Sequence, residues 1–138
     1  MIFKKTYKVL TMGNASFSKA AYINTLDWLI SYFPNAFSKK PKEIKPLKIG
    51  ILDDIYTFYN CLQHPEVTKQ DIKHAIQYYS SSALYLANQK EHEPRIDLYG
   101  QEVDVVSKEQ AKYAQQRYEQ KMQAKQNHTQ TEAESESE

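Results

Sequence analysis

Apolar side chains recur at helical intervals along most of this chain. From Tyr22 to Phe33, the residues Ile23, Leu26, Leu29, Ile30 and Phe33 are spaced by three and four, the period of an amphipathic helix. Pro34 marks the end of that run, because the residue before a proline avoids helical geometry. A second helix is predicted from about Leu47 or Lys48 to Leu62, burying Ile51, Ile55, Phe58, Tyr59 and Leu62, with Pro65 just beyond it. Thr68 opens a third. Its hydroxyl suits an unpaired N–H of the first turn, and Asp71 places negative charge there. Ile72, Ala75, Ile76 and Tyr79 continue the apolar face until Ser80, Ser81 and Ser82 interrupt it. Those serines are suited to cap a fourth helix, running to about Asn88.

The period then changes from helical to alternating. Arg95-Ile96-Asp97-Leu98 reads as a strand, Tyr99-Gly100 as a turn, and Glu102 to Val106 as the returning partner. Ser107 followed by Gln110 is a capping-box pattern for a last helix over roughly Lys108 to Lys125. The pattern therefore predicts a mainly α fold of five helices with a small β-hairpin. Residues 1–20 lack a firm period and read as a basic N-terminal extension. The folded body is expected over 21–126. Residues 127–138 are polar, acidic and low in complexity, the composition of a disordered tail.

Composition adds a charge asymmetry. The net charge is +1, yet residues 1–48 hold nine lysines against Asp27 and Glu43, and the last seven residues carry four glutamates. A basic body with an acidic tail hints at a polyanionic partner, although a lysine run is more often a solvated face. The single cysteine, Cys61, cannot form an intrachain disulfide. No apolar stretch approaches the roughly 18 residues that span a bilayer. Met1 to Met12 is basic and lacks the apolar run of a secretion signal. A cytoplasmic protein with no membrane partner is expected.

Catalytic constellations do not emerge. His64, His74, His92 and His128 have no metal-ligand spacing and no second cysteine to join them. Cys61 beside apolar helical neighbours reads as packed and inert. Asp53 and Asp54 are adjacent and diverge on a helix. The three glycines are isolated, so no glycine-rich phosphate loop exists. No cofactor, metal or small-molecule substrate is implied.

Four short motifs carry more information: Phe33-Pro34-Asn35-Ala36-Phe37, Pro46-Leu47-Lys48-Ile49-Gly50, Tyr79-Ser80-Ser81-Ser82 with Tyr85-Leu86, and Arg95-Ile96-Asp97-Leu98 with Gly100. Their order and spacing over residues 22–120 resemble the ProQ/FinO family of bacterial RNA chaperones. The resemblance implies a compact helical fold with a small hairpin and binding to terminator-type RNA, meaning the lower hairpin stem and its single-stranded uridine tail. It also implies small regulatory RNAs and messenger 3′ ends as partners, acting in post-transcriptional regulation without turnover chemistry. A monomer is expected.

Physics offers each motif residue a role and a plainer alternative. Lys48, at a predicted helix start, suits a phosphate, or merely covers the helix end. Lys69 and Lys73 share a helical face and either follow a phosphate backbone or are only solvated. Ser80, Ser81 and Ser82 mark a helix N-terminus that favours anions, or only cap it. Tyr85 matches the family's concave-face tyrosine and suits base stacking or a sugar hydroxyl; tyrosine at helical spacing is otherwise core. Arg95 offers a planar fork to phosphate, or an ion pair to Asp97 or a neighbouring carboxylate. Tyr79 is assigned to packing and Tyr78 is left open. Gln77, Ala83 and Leu84 stand where many family members carry arginine or tryptophan, so positive charge on the expected RNA face is reduced. Lys4, Lys5, Lys8 and the loop lysines Lys39, Lys40, Lys42 and Lys45 are expected to compensate. Two other readings remain: a protein–protein adaptor with weak RNA binding, motivated by Gln77, Ala83 and Leu84, and a helix-turn-helix DNA binder over residues 68–88. The second is disfavoured because its second helix opens with serines and apolar residues.

Overall fold

The computed structural model describes residues 18–137, with side chains through 127. The N-terminal lysines therefore lie outside the described residues. Helix α1 spans Lys19–Tyr32, a single 3-10 turn covers Pro41–Glu43, and α2 runs over Ile51–Tyr59. Helices α3 and α4 occupy Lys69–Ser80 and Ala83–Asn88. Strands β1 (Pro94–Ile96) and β2 (Glu102–Val105) precede α5, Lys108–Ser137.

Local chemistry explains most of these boundaries. Ser18 accepts a hydrogen bond from the Ala21 N–H and starts α1. Thr68 forms a complete capping box: its hydroxyl accepts from the Asp71 N–H, and the Asp71 carboxylate accepts from the Thr68 N–H. Ser82 caps α4 by accepting from the Tyr85 N–H. Ser107 and Gln110 make the reciprocal pair expected at the start of α5. Helix α3 packs against α1, α2 and α4, and α5 lies on α4. Leu29, Phe37, Ile55, Ile72, Ala75 and Ala114 are closed to solvent at the centre. Burial of each larger aliphatic or aromatic side chain contributes about 1.5–3 kcal/mol.

Several expectations change. Helix α2 begins at Ile51, not at Leu47 or Lys48, because Gly50 adopts φ +88° and interrupts helical geometry. The segment before it joins the sheet instead: the Lys48 N–H donates to the Ile96 carbonyl at 2.8 Å, and Leu47 bridges Ile96 in parallel. Strand β1 stops at Ile96, not Leu98, because the Asp97 carboxylate accepts from the N–H groups of Tyr99 and Gln101 and folds the chain into a turn. Helix α5 carries on to Ser137. Residues 127–137 contain no Gly or Pro, so neither of the strongest helix breakers interrupts that stretch. Ile23, assigned to the buried face of α1, is 39% exposed, while Thr25 is buried in its place.

Candidate nucleic-acid interface

The segment from Leu47 to Leu52 meets the end of α3, the start of α4 and strand β1 around a pocket of about 250 Å³. Lys48, Ser80, Tyr85 and Arg95 all line it. Three chemistries converge there. Gly50 turns the chain so that α2 opens on this pocket, and its first N–H groups have positive character. Lys48 lines the pocket as well, with its ammonium held by Asp54. Arg95 supplies a guanidinium from the wall.

The state of each group is specific. The Tyr85 ring is 6% exposed and its hydroxyl accepts from the Leu47 N–H at 2.9 Å. Tyr85 is thus a wall of the pocket and a brace for the Leu47 segment; its ring is too covered to be an open stacking platform. Arg95 is 5% exposed. Its Nη1 donates to the Leu47 carbonyl at 2.9 Å and its Nη2 to the Gln110 side-chain oxygen at 3.1 Å. Its Nε is buried without a partner, and among the described residues no carboxylate pairs with it. The alternative of an ion pair with Asp97 is not seen, and the Asp97 carboxylate accepts from the turn N–H groups of Tyr99 and Gln101. Burying a cation without a counter-charge is costly, and here only the two hydrogen bonds offset it.

Lys48 is not at a helix N1 position, as expected, but three residues before α2. Its ammonium pairs with Asp54 at 2.7 Å. That hydrogen bond raises the Lys48 pKa above the usual lysine value, against a smaller opposing effect of desolvation. Asp54 therefore keeps Lys48 charged and also competes with any phosphate for it. Lys48 also borders a second cleft with Asp54, Asp97 and the 69% exposed Tyr99.

Lys69 and Lys73 lie on α3 in the same row as Ile76 and Ser80, at successive steps of four, three and four residues. This row leads into the pocket. Lys69 is seated over the rings of Tyr56 and Tyr59, 5.5 and 6.0 Å from their centroids. Ser81 and Ser82 turn away to a different cleft, about 490 Å³, formed with Tyr78, Lys121 and Lys125. All three serine hydroxyls donate to carbonyls at the end of α3, so the triplet both closes one helix and opens the next. The loop lysines separate. Lys39 pairs with Asp27 and Lys40 lies near Glu43. Lys42 and Lys45 line a cleft that includes neither Lys48 nor Arg95.

Sequence reasoning read Tyr99 only as a turn residue, left Tyr78 open and did not single out Lys121. Tyr78 is 46% exposed and stacks on Tyr22 with ring centroids 4.3 Å apart. Tyr79, one residue on, is buried and holds the Ser38 N–H at 3.2 Å. An exposed aromatic in a turn has no periodic signal; only its neighbours in space reveal it.

A sequence profile described as the ProQ/FINO family matches residues 20–132. The chain belongs to the ProQ/FinO family. It is 31% identical over 93 residues to a protein named RNA chaperone ProQ from Idiomarina loihiensis, covering 67% of this chain and 43% of that protein. A protein of the same name from Alteromonas mediterranea is 36% identical over 89 residues, covering 64% and 39%. The match thus spans about two fifths of these relatives' length. The solution structure of a ProQ homolog from Legionella pneumophila superposes with a TM-score of 0.64 at 48% identity, covering 82% of this chain and 91% of that one. The mainly helical ProQ/FinO fold with its antiparallel hairpin is therefore shared, as the motifs led one to expect. No helix among the described residues is long and apolar enough to cross a membrane.

Proposed function

We propose that this ProQ/FinO domain is a non-catalytic, cytoplasmic RNA chaperone that acts as a monomer and grips the 3′ end of a structured RNA, a terminator-type hairpin with its single-stranded uridine tail. Small regulatory RNAs and messenger 3′ ends are the corresponding partners, and their stabilisation and pairing the outcome. One observation carries the reading: a guanidinium buried without a counter-ion, Arg95, lines the same pocket as Lys48. A terminal nucleotide would bring the missing phosphate. The names of the curated relatives support the same class of ligand.

In this reading the α3 row, Lys69 and Lys73, accompanies the backbone of one strand into the pocket. Ser80, Ser81, Ser82 and Lys121 meet the stem on the adjoining surface, and Tyr99 and Tyr78 offer exposed rings to unpaired bases. Tyr85 acts by holding Leu47 in place.

The test is a salt titration of a terminator hairpin with and without its uridine tail. Binding should be steeply salt-dependent and weaker without the tail. Lys48→Gln should reduce the slope of log affinity against log salt by about 1. No binding even at low salt would instead favour a protein–protein adaptor, the reading that the neutral Gln77 and Ala83 and the exposed Leu84 support.

A further inference from the structure

Strand β1 has two faces, and only one has been given a role. Along a strand, successive side chains point to opposite sides. Arg95 faces the Lys48 pocket, whereas Pro94 and Ile96 face away into a separate cleft of about 420 Å³. The neighbouring segment divides the same way: Leu47 and Lys48 line the first pocket and Pro46 lines the second. The Ile96 N–H donates to the Pro46 carbonyl at 3.0 Å and joins the two segments into one partition.

This second cleft has its own polarity. Its floor is apolar, made of Ile44, Pro46, Pro94 and Ile96. Lys42 and Lys45 come to it from one loop and Lys90 from another, and none has an ion-pair partner among the described residues. The contrast with Lys39, Lys40 and Lys48, all placed near carboxylates, is direct. Glu93 and Glu102 also line it. Asn88 is fixed by its amide nitrogen, which donates to the Pro41 and Ile44 carbonyls, so its oxygen remains to accept.

We infer that this cleft is a second RNA-contact site, on the side of β1 opposite the 3′-end pocket, and that it takes an unpaired strand. The inference rests on the RNA-binding reading above. The three lysines suit successive phosphates, and the proline and isoleucine floor suits the face of a base. The carboxylates oppose a duplex, whose phosphates would crowd them from both strands. They also select among bases. A carboxylate accepts from the amino groups of guanine, adenine or cytosine, whereas uracil presents a lone N–H between two carbonyl oxygens. The site should therefore prefer amino-bearing bases to uridine, the reverse of a pocket for a uridine tail. A domain with both sites holds the end of one RNA while an unpaired segment lies along its other face.

The experiment uses the full chain. A fluorescent single-stranded RNA of guanine and adenine, with its 3′ end blocked by phosphate, is titrated into protein already saturated with an unlabelled terminator hairpin. The strand is expected to bind the occupied protein. The triple variant Lys42→Gln, Lys45→Gln, Lys90→Gln should weaken that binding about tenfold and lower its salt slope by about 2, with hairpin affinity within about twofold of the parent. The double variant Glu93→Gln, Glu102→Gln should narrow the preference over an oligouridine. Displacement of the hairpin by the strand, or unchanged strand affinity in the triple variant, overturns the proposal. Failure of the hairpin itself to bind the parent protein counts against the 3′-end reading; strand binding lost in the triple variant would still establish the cleft. Circular dichroism on each variant separates lost contacts from lost folding.

Discussion

Arg95 illustrates how one side chain serves both architecture and ligand. Its two hydrogen bonds tie the Leu47 segment and α5 to the hairpin, while its third donor and its charge are left uncompensated. Replacing it with methionine strands the Leu47 carbonyl, and an unsatisfied buried acceptor costs about 1–3 kcal/mol. Arg95→Met should therefore lower the urea midpoint; an unchanged midpoint would mean that Leu47 is held by something else. Tyr85→Phe removes only the acceptor for the Leu47 N–H. It should cost about 1 kcal/mol or somewhat more, with the ring's packing retained. Both residues were legible as members of a motif. Their burial was not, because an arginine and a tyrosine at strand and helix positions look the same whether they face a ligand or brace a neighbouring chain segment. The nominated Lys48 depended even more on context: its partner Asp54 lies six residues away across a glycine turn.

Among the elements, caps and turns followed sequence closely where their chemistry is local. Thr68 and Asp71, Ser107 and Gln110, and Ser82 with Tyr85 each act within one helical turn. Thr68→Ala should cost about 1 kcal/mol, read from thermal or urea unfolding, and leave RNA affinity unchanged in the proposed scheme. Equal losses of affinity in Thr68→Ala and Ser82→Ala would argue that the serine turn has no place at the interface. Glycines 50 and 100 separate backbone conformation from space. Both have positive φ, but a Cβ on Gly50 meets nothing within 4 Å, whereas one on Gly100 would stand 2.9 Å from the Asn35 Cβ and 3.2 Å from its carbonyl oxygen. Gly50→Ala is expected to cost about 1 kcal/mol, the left-handed penalty alone. Gly100→Ala should be clearly worse, since the hairpin must also move away from the loop after α1. Comparable unfolding midpoints would contradict that order.

For the whole molecule, the half-buried tyrosine cluster sets an alkaline limit. Burial raises the Tyr22 pKa from 10.0 to about 12, with the charges of Tyr79 and Tyr78 adding to it. The folded state then holds the phenolic proton more tightly than the unfolded chain. The contribution is complete below pH 10 and is lost as pH rises through about 12. Stability should fall over that window, and Tyr22→Phe, which cannot ionise, should flatten the fall. Parallel pH profiles for the two proteins would remove Tyr22 as the cause. The same cluster joins α1 to α3 beside the serine turn, so loosening it should also disturb the 490 Å³ cleft.

What the chain alone determined is what acts over one or two turns: five helices and a hairpin, the capping residues, the break at Pro34, the apolar rows and the four motifs of the family. Hydrophobic period and caps are properties of neighbours in sequence, and they survive without knowledge of the rest. What only the tertiary structure decided is which polar groups share a space. Helix α2 starts late because Gly50 turns the chain and Lys48 pairs with β1; Arg95 shares a pocket with Lys48 and makes no ion pair with Asp97; the loop lysines divide between ion pairs and a second cleft. Each of these outcomes depends on charge and hydrogen-bonding partners brought together by the folded chain, and those distances have no counterpart in sequence spacing.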